Sequence, residues 1–446
     1  MLIYVPQLTN RLGYTLKVIF RHVLKVDFDI TTDADTFLQR PDGVLCYSPS
    51  RIGEKAVWVK PSGLLFQNSI EEQEPLPFVW EGMHVLYPVY GKGLEIKFDP
   101  FSAAFYMLSR YEEYLPHHRD QHGRFLAAES IAYQEGFLEM PVVEQWAERL
   151  RKAINERFPE IAIPKRKFDM YASIDIDAAY CYRNKGFFRT LAGIAKDIHN
   201  DRNLDRLKRR MKVLARKEQD PFDTFDYILN QNKIHPGYKM VFFVLLGDYG
   251  VYDKSISHHS NEFQELIKHL GDYAKIGIHT SYAAFDEPDR IEMERSRLEQ
   301  ITNRNIVRNR SHFLRLQLPA TYRLMERNGI RHDYTMGYAE TPGYRAGISV
   351  QYPFFNLERD SEMEITVHPF CVMEATLKRY LSLSPEEGLE RMKRLMDNTA
   401  AVGGCFCSIW HNENLCEDFG WQGWRHVFDE MYNHADRLKA DNDTEH

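Results

Sequence analysis

Four short stretches of the 446-residue chain combine residue types that can do acid–base or metal chemistry. Ser173-Ile-Asp175-Ile-Asp177 ends a strand-like run in two carboxylates one residue apart. Positions i and i+2 of a strand face the same way, so both carboxylates can serve one site. One could hold a metal that acidifies a bound water, and the other could take its proton. A solvated strand end is the plain alternative. Ile276-Gly-Ile-His279-Thr-Ser-Tyr282 closes a short apolar strand on an imidazole, a usual ligand for a cation such as Zn²⁺. A structural histidine is the alternative there. Arg310-Ser-His312-Phe-Leu-Arg315, with a strand expected over His312–Arg315, offers a guanidinium that can orient a carboxylate through paired hydrogen bonds, or else an ordinary ion pair. Gly403-Gly404 leads into Cys405-Phe-Cys407-Ser-Ile-Trp410-His411-Asn-Glu413, where a terminal His could protonate a leaving amine.

The elements that must position these groups begin after Lys167. Strands are expected at Phe168–Ile174, Met240–Leu246, Lys275–His279, His312–Arg315, His332–Thr335, Glu364–Val367 and Cys405–Trp410, with helices between several of them. Phe263, Leu266, Ile267 and Leu270 form one amphipathic stripe. Ser384-Pro-Glu-Glu387 reads as a capping box ahead of Leu389, Met392 and Leu395. Repeated β–α units predict an α/β fold with a mostly parallel sheet or barrel, and catalytic residues at the C-terminal strand ends. The first 163 residues read as a smaller mixed α/β domain. Its elements include a strand at Leu2–Val5, a helix behind Asp99-Pro100 and another over about 142–157. Phe158-Pro-Glu-Ile-Ala-Ile-Pro164 reads as the linker, and residues 164–440 as the second domain. A basic helical insertion occupies about 183–235. Residues 183–220 hold twelve Lys/Arg against five Asp/Glu, and the stretch 206–217 is a basic amphipathic helix. It reads as a solvated face, or as a peripheral contact with anionic lipid, a phosphorylated carrier or an acidic glycan.

Composition narrows the class. Apolar residues make up 43 % and aromatic ones 13 %, enough to bury a large core, so the chain is not mainly disordered. A net charge of −7 argues against a dedicated nucleic-acid binder. The six cysteines are sparse and form no CxxC pair, so no disulfide framework is implied. Cys405-Phe-Cys407 reads as alternation in a buried strand rather than a metal hook. Arg11, Lys17 and Arg21 interrupt the N-terminal apolar residues, and no run approaches a membrane span, so a cytoplasmic location is expected.

The order of these elements, with an acidic pair, His, Arg and His at successive strand ends, resembles the polysaccharide deacetylase family (the NodB-homology, carbohydrate esterase family 4 fold). That family has a distorted (β/α) barrel. Ser173-Ile-Asp175-Ile-Asp177 stands where its acidic motif lies. His279-Thr280 matches the start of the H-[ST]-x-x-H motif, Arg315 with Pro319 loosely matches R-x-P, and Ser408-Ile-Trp-His411 matches L-x-x-H. The stretch His332 to Gly347 and the run Ser109-Arg-Tyr-Glu-Glu113 resemble a bacterial subgroup that carries an extra N-terminal domain. The resemblance implies a hydrolase that removes an N-acyl group, such as acetyl, from a sugar in a glycan or in a nucleotide- or lipid-linked precursor. It implies Asp175 as general base oriented by Arg315, and His411 as the acid. Asp177 and His279 would bind a divalent metal, Zn²⁺ by preference. Position 283, where the family has its second metal His, is Ala283. His312, Asp248, Asp253 or Ser281 could take that place, with His312 the ligand chosen here. A chain without catalysis that binds glycan or a protein partner is the second reading. Tyr338, Tyr344, Arg345 and Trp410 are expected to line the sugar cleft.

Overall fold

The computed structural model describes residues 1–200 and 204–444. The first strands, β1 (Leu2–Tyr4), β2 (Asp29–Thr31), β3 (Gly43–Tyr47) and β4 (Val57–Val59), form a parallel sheet in the order β2-β1-β3-β4. A hairpin of β5 (Phe78–Trp80) and β6 (Met83–Val85) follows. Helix Pro100–Leu108 starts as the Asp-Pro pair predicts. The Asp99 carboxylate accepts from the Phe101 and Ser102 N–H groups, and Pro100 takes the first turn. Helix Val142–Arg157 buries Trp146, Leu150 and Ile154 on the face its spacing marks.

The larger sheet has nine strands: β7 (Asp169–Ile176), β8 (Lys239–Leu245), β9 (Lys275–Thr280), β10 (Arg308–Ser311), β11 (His332–Asp333), β12 (Tyr352–Asn356), β13 (Ser361–Val367), β14 (Val372–Met373) and β15 (Cys405–His411). Their order is β12-β13-β11-β10-β9-β8-β7-β15-β14, parallel except for the β12–β13 pair. β7 and β8 are buried almost throughout, as strands covered on both faces must be. The sheet curls on itself. Tyr334, just past β11, packs on Phe243 of β8 with ring centroids 5.0 Å apart and reaches Tyr171 of β7. The ladder does not close: among the described residues β12 and β14 remain its two edges. Residues 368–371 cross between the arms by single bonds, Phe370 N–H to Met336 C=O and Cys371 N–H to Cys407 C=O. The expected barrel is therefore a curled, open, mostly parallel sheet.

One expected strand is absent. His312–Arg315 is a tight turn after β10, with Phe313 and Leu314 both left-handed at φ 58° and 56°. Helices Asn261–Tyr273 and Pro385–Ala401 form on the predicted stripes, and the Ser384–Glu387 capping box closes reciprocally. No helix among the described residues is long and apolar enough to cross a membrane. Within the basic stretch, Arg209 and Arg210 pair with carboxylates of the same insertion, Glu218 at 2.8 Å and Asp197 at 2.6 Å, and Arg209 also pairs with Asp418. All six cysteines are free.

The N-terminal segment and the large sheet share one hydrophobic core. Helix Asn10–Leu16 covers the β12 edge: Tyr14 Oη donates to Pro353 C=O at 2.9 Å, and its ring packs on Phe355. An edge strand hidden in this way cannot pair with another chain. A buried ion network joins the same parts. Arg110 Nε donates to Glu113 at 2.8 Å and Nη2 to Glu112 at 2.6 Å. Arg345 grips Glu113 through Nε at 2.9 Å and Nη2 at 2.6 Å, and Arg110 also donates to the Arg345 carbonyl. The two guanidinium groups hold Glu113 down at about 2 although burial opposes its charge. Asp99 is outside this network: it caps its helix and accepts from Tyr47.

Candidate metal centre and active cleft

The C-terminal ends of β7, β9, β10 and β15 meet at a cleft of about 350 Å³ whose lining includes Asp175, Asp177, His279, His312 and His411. Asp175 lies on β7 and Asp177 just past it, and their i, i+2 spacing turns both into the cleft. Asp177, His279 and His312 present ligand atoms within 4.8 Å of one another. His279 Nδ1 lies 2.8 Å from the Arg310 carbonyl. A carbonyl only accepts, so Nδ1 carries a proton and the Nε2 of the neutral ring keeps a lone pair. That Nε2 faces Asp177 Oδ1 at 3.2 Å, and Oδ1 is buried without a hydrogen bond. His312 is set the same way: Nδ1 is 2.8 Å from Asp253 Oδ1 and Nε2 is 3.3 Å from Asp177 Oδ2. Lone pairs directed at a buried carboxylate need a proton or a cation between them. Imidazoles braced through their second nitrogen by a carboxylate or carbonyl are the usual support of metal ligands. The three donors therefore fit a divalent cation.

Electrostatics follow this geometry. Burial opposes the charge of Asp177, but His312, His279 and His411 hold it well below the usual carboxylate range. Burial opposes the charge of His312, but Asp177 and Asp253 prevail and raise it to about 9. Asp253 itself is lowered despite burial, because His312 and the Tyr282 and Ala283 N–H groups point at it. Of the other two candidates for the missing ligand, Asp248 pairs with Arg290 and Arg297. Ser281 bonds Glu294.

On the far side of the acidic pair, Arg310 is fully buried, and its Nη1 donates to Asp175 Oδ1 at 3.1 Å and Nη2 to Ser173 Oγ at 2.8 Å. Arg315, expected in that role, lies beyond the left-handed turn. There it donates to the carbonyls of His122 and Tyr282 and to Asp286, with Tyr282 and Phe285 against its plane. At the end of β15, His411 Nδ1 is 2.7 Å from Glu374 Oε1, and its backbone N–H donates to the same oxygen. Burial opposes protonation of His411, but Glu374 raises it to about 10.

The four residues expected to line a sugar cleft are in the core. Tyr338 accepts from Arg110, Tyr344 bonds Thr399, and Arg345 grips Glu113. Trp410, one position out of phase with His411, packs on Phe428 of the outer helix with centroids 5.0 Å apart. The stretch His332 to Gly347 is largely buried, and Tyr344, Arg345 and Gly347 pack against the N-terminal segment. Residues that sequence reasoning did not single out stand at the cleft: Arg124, Met373, Arg379, Tyr380 and Glu413. Arg124 comes from the N-terminal segment and donates to the Phe313 carbonyl at 3.0 Å, bracing the strained turn beside His312. Burial and the nearby Asp177 push Glu413 up.

These features define a curled α/β sheet with a candidate Asp-His-His metal centre at its C-terminal edge. A family of unknown function (DUF7033) matches residues 1–159. Among curated proteins none matches the chain by sequence. Among solved structures, the chain is similar to a Mycobacterium smegmatis protein assigned as a polysaccharide deacetylase, at 12 % identity and TM-score 0.37 over 63 % of this chain and 92 % of that one. It is similar to the PuuE allantoinase at 12 % identity and TM-score 0.39, over 60 % and 84 %. It is also similar to a mutant CE4-family pseudoenzyme with restored enzymatic activity, at 13 % identity and TM-score 0.30, over 63 % and 65 %.

Proposed function

We propose that the chain is a metal-dependent hydrolase that cleaves an N-acyl, typically N-acetyl, group from an amino sugar in a glycan or glycan precursor. The observation that carries this reading is the convergence of Asp177, His279 and His312, with both imidazoles braced so that Nε2 faces the aspartate. A divalent cation held by these three residues, Zn²⁺ by preference for two nitrogens and an oxygen, would supply Lewis acidity and an acidified water. Asp175, fixed by Arg310, serves as the general base on the same side. His411, kept protonated by Glu374, donates its Nε2 proton to the departing amine. Arg379 at the cleft suits an acidic or phosphorylated sugar.

The test pairs metal analysis with acetate release from N-acetylated sugars and their nucleotide-linked forms. About one cation per chain, lost in Asp177→Asn together with acetate release, supports the reading. A zinc-loaded protein that releases no acyl group from any of these, while binding them unaffected by chelator, would overturn it in favour of a non-catalytic glycan binder.

A further inference from the structure

The end of the large sheet opposite the metal donors carries an unassigned concentration of positive charge. The neighbouring parallel strands β8, β9 and β10 begin on Lys239, Lys275 and Arg308. Lys239 pairs with Asp169 at 3.0 Å. Among the described residues, no carboxylate lies within ion-pair distance of Lys275, Arg308 or Lys25. A cavity of about 230 Å³ opens at this end. His22, Lys25 and Arg166 reach it from the N-terminal segment and the linker, and Tyr171, Lys239 and His368 from the sheet. Arg166 is positioned by the carbonyls of His22 and Val23, to which its Nη1 donates at 3.4 and 3.3 Å. His368 stacks on Tyr334, with centroids 4.2 Å apart and planes within 6°.

Asp169, in the same lining, balances and raises Lys239, which leaves Lys25 and Arg166, among the described residues, as cations with no carboxylate of their own at this end. Partial burial and Arg166 lower the Lys25 ammonium. Burial, then His332, Arg308, Lys275 and Lys239, hold His368 well below its ordinary value. Cations brought together from separate elements around a partly enclosed space repel each other unless an anion sits among them. They approach from several directions, which suits a tetrahedral dianion better than a flat carboxylate. The half-buried Tyr171 ring, with Lys239 Nζ 5.2 Å from its centroid, and the stacked Tyr334–His368 pair give this space aromatic walls for an organic substituent.

We propose that this cavity binds a small phosphate monoester, held between Lys25 of the N-terminal segment, Arg166 of the linker and Lys239 at the start of β8. The site lies at the N-terminal strand ends, apart from the catalytic cleft, and does not depend on the hydrolase reading. Inorganic phosphate and phenyl phosphate are titrated into the full chain by calorimetry, with thermal unfolding confirming that each variant is folded. Both bind the wild type, phenyl phosphate more tightly. Lys25→Gln and Lys239→Gln, both at exposed side chains, each weaken binding about tenfold. Asp177→Asn, which disables the metal centre, leaves it unchanged. Affinity unaffected by Lys25→Gln and Lys239→Gln, affinity lost in Asp177→Asn, or no heat from the wild type at about 10 mM ligand, would each overturn the proposal.

Discussion

Loading a cation near neutral pH must displace a proton from His312. In the metal-free protein this imidazole lies between Asp253 and Asp177, and despite its burial they raise it to about 9. At pH 7 the protonated ring dominates, so a cation must displace a proton at a penalty on the order of 3 kcal/mol on binding. Zinc affinity therefore climbs about tenfold per pH unit from pH 7 and levels off near pH 9. The sign for stability is opposite. A His raised in the folded state stabilises the metal-free fold fully below its ordinary 6.5, and that contribution disappears as pH rises through about 9. Zinc titrations by calorimetry in two buffers of different ionisation enthalpy count the protons released. A cation-bound water that ionises adds its own pH dependence, so His312→Ala, which loses both the ligand and this proton, is run beside the wild type. The wild type releases about one proton more than the variant at pH 7. Equal release from both proteins, or wild-type affinity flat between pH 7 and 9, would refute His312 as a metal ligand.

Other expectations concern residues around the site. Arg310→Lys keeps the charge but loses the fork between Asp175 and Ser173, so kcat for acyl release falls about 10–100-fold with KM little changed, whereas Arg315→Lys holds kcat within about twofold. Equal losses in the two variants would return the orienting role to Arg315. Glu294, buried against Ser281, is raised by burial from 4.5 to about 7. The folded state therefore binds the extra proton, and stability falls as pH rises from 4.5 to about 7, by at most about 3 kcal/mol. Glu294→Gln removes this slope in urea unfolding curves, and an unchanged slope would show that Glu294 is not its source. Arg345→Ala leaves Arg110 alone to balance the buried Glu112 and Glu113 and costs about 3–5 kcal/mol of unfolding free energy, and a loss under about 1 kcal/mol would show that the network relaxes.

Much of the scaffold was legible because its signals are local. The Asp99-Pro100 start, the Ser384–Glu387 box and the stripe in Asn261–Tyr273 each depend on neighbours within a turn or two. The carboxylate pair was legible for the same reason, since strand alternation fixes the common face of Asp175 and Asp177. What failed was long-range. The choice between Arg310 and Arg315 depends on where β10 ends, and the two left-handed residues after His312 carry no Gly to announce them. The Glu374 partner of His411 lies 37 positions away, just past the neighbouring strand β14, and Asp253 lies 59 positions from His312. Tyr338, Tyr344 and Arg345 misled because a stretch rich in Gly and Tyr is as suited to a buried inter-element seam as to a ligand-facing loop.

The Arg110–Glu113–Arg345 network has a consequence for inheritance. The sequence family that matches residues 1–159 stops short of Arg345, yet the charges of Arg110, Glu112 and Glu113 balance only when that arginine arrives from the other side. A recombination event that joined this N-terminal segment to a different sheet would leave two buried carboxylates facing one guanidinium, with a naked apolar flank beside them. Such chimeras would be purged at the folding step, before any test of activity. Changes at Arg110, Glu113 and Arg345 should thus be correlated across descendants of this chain.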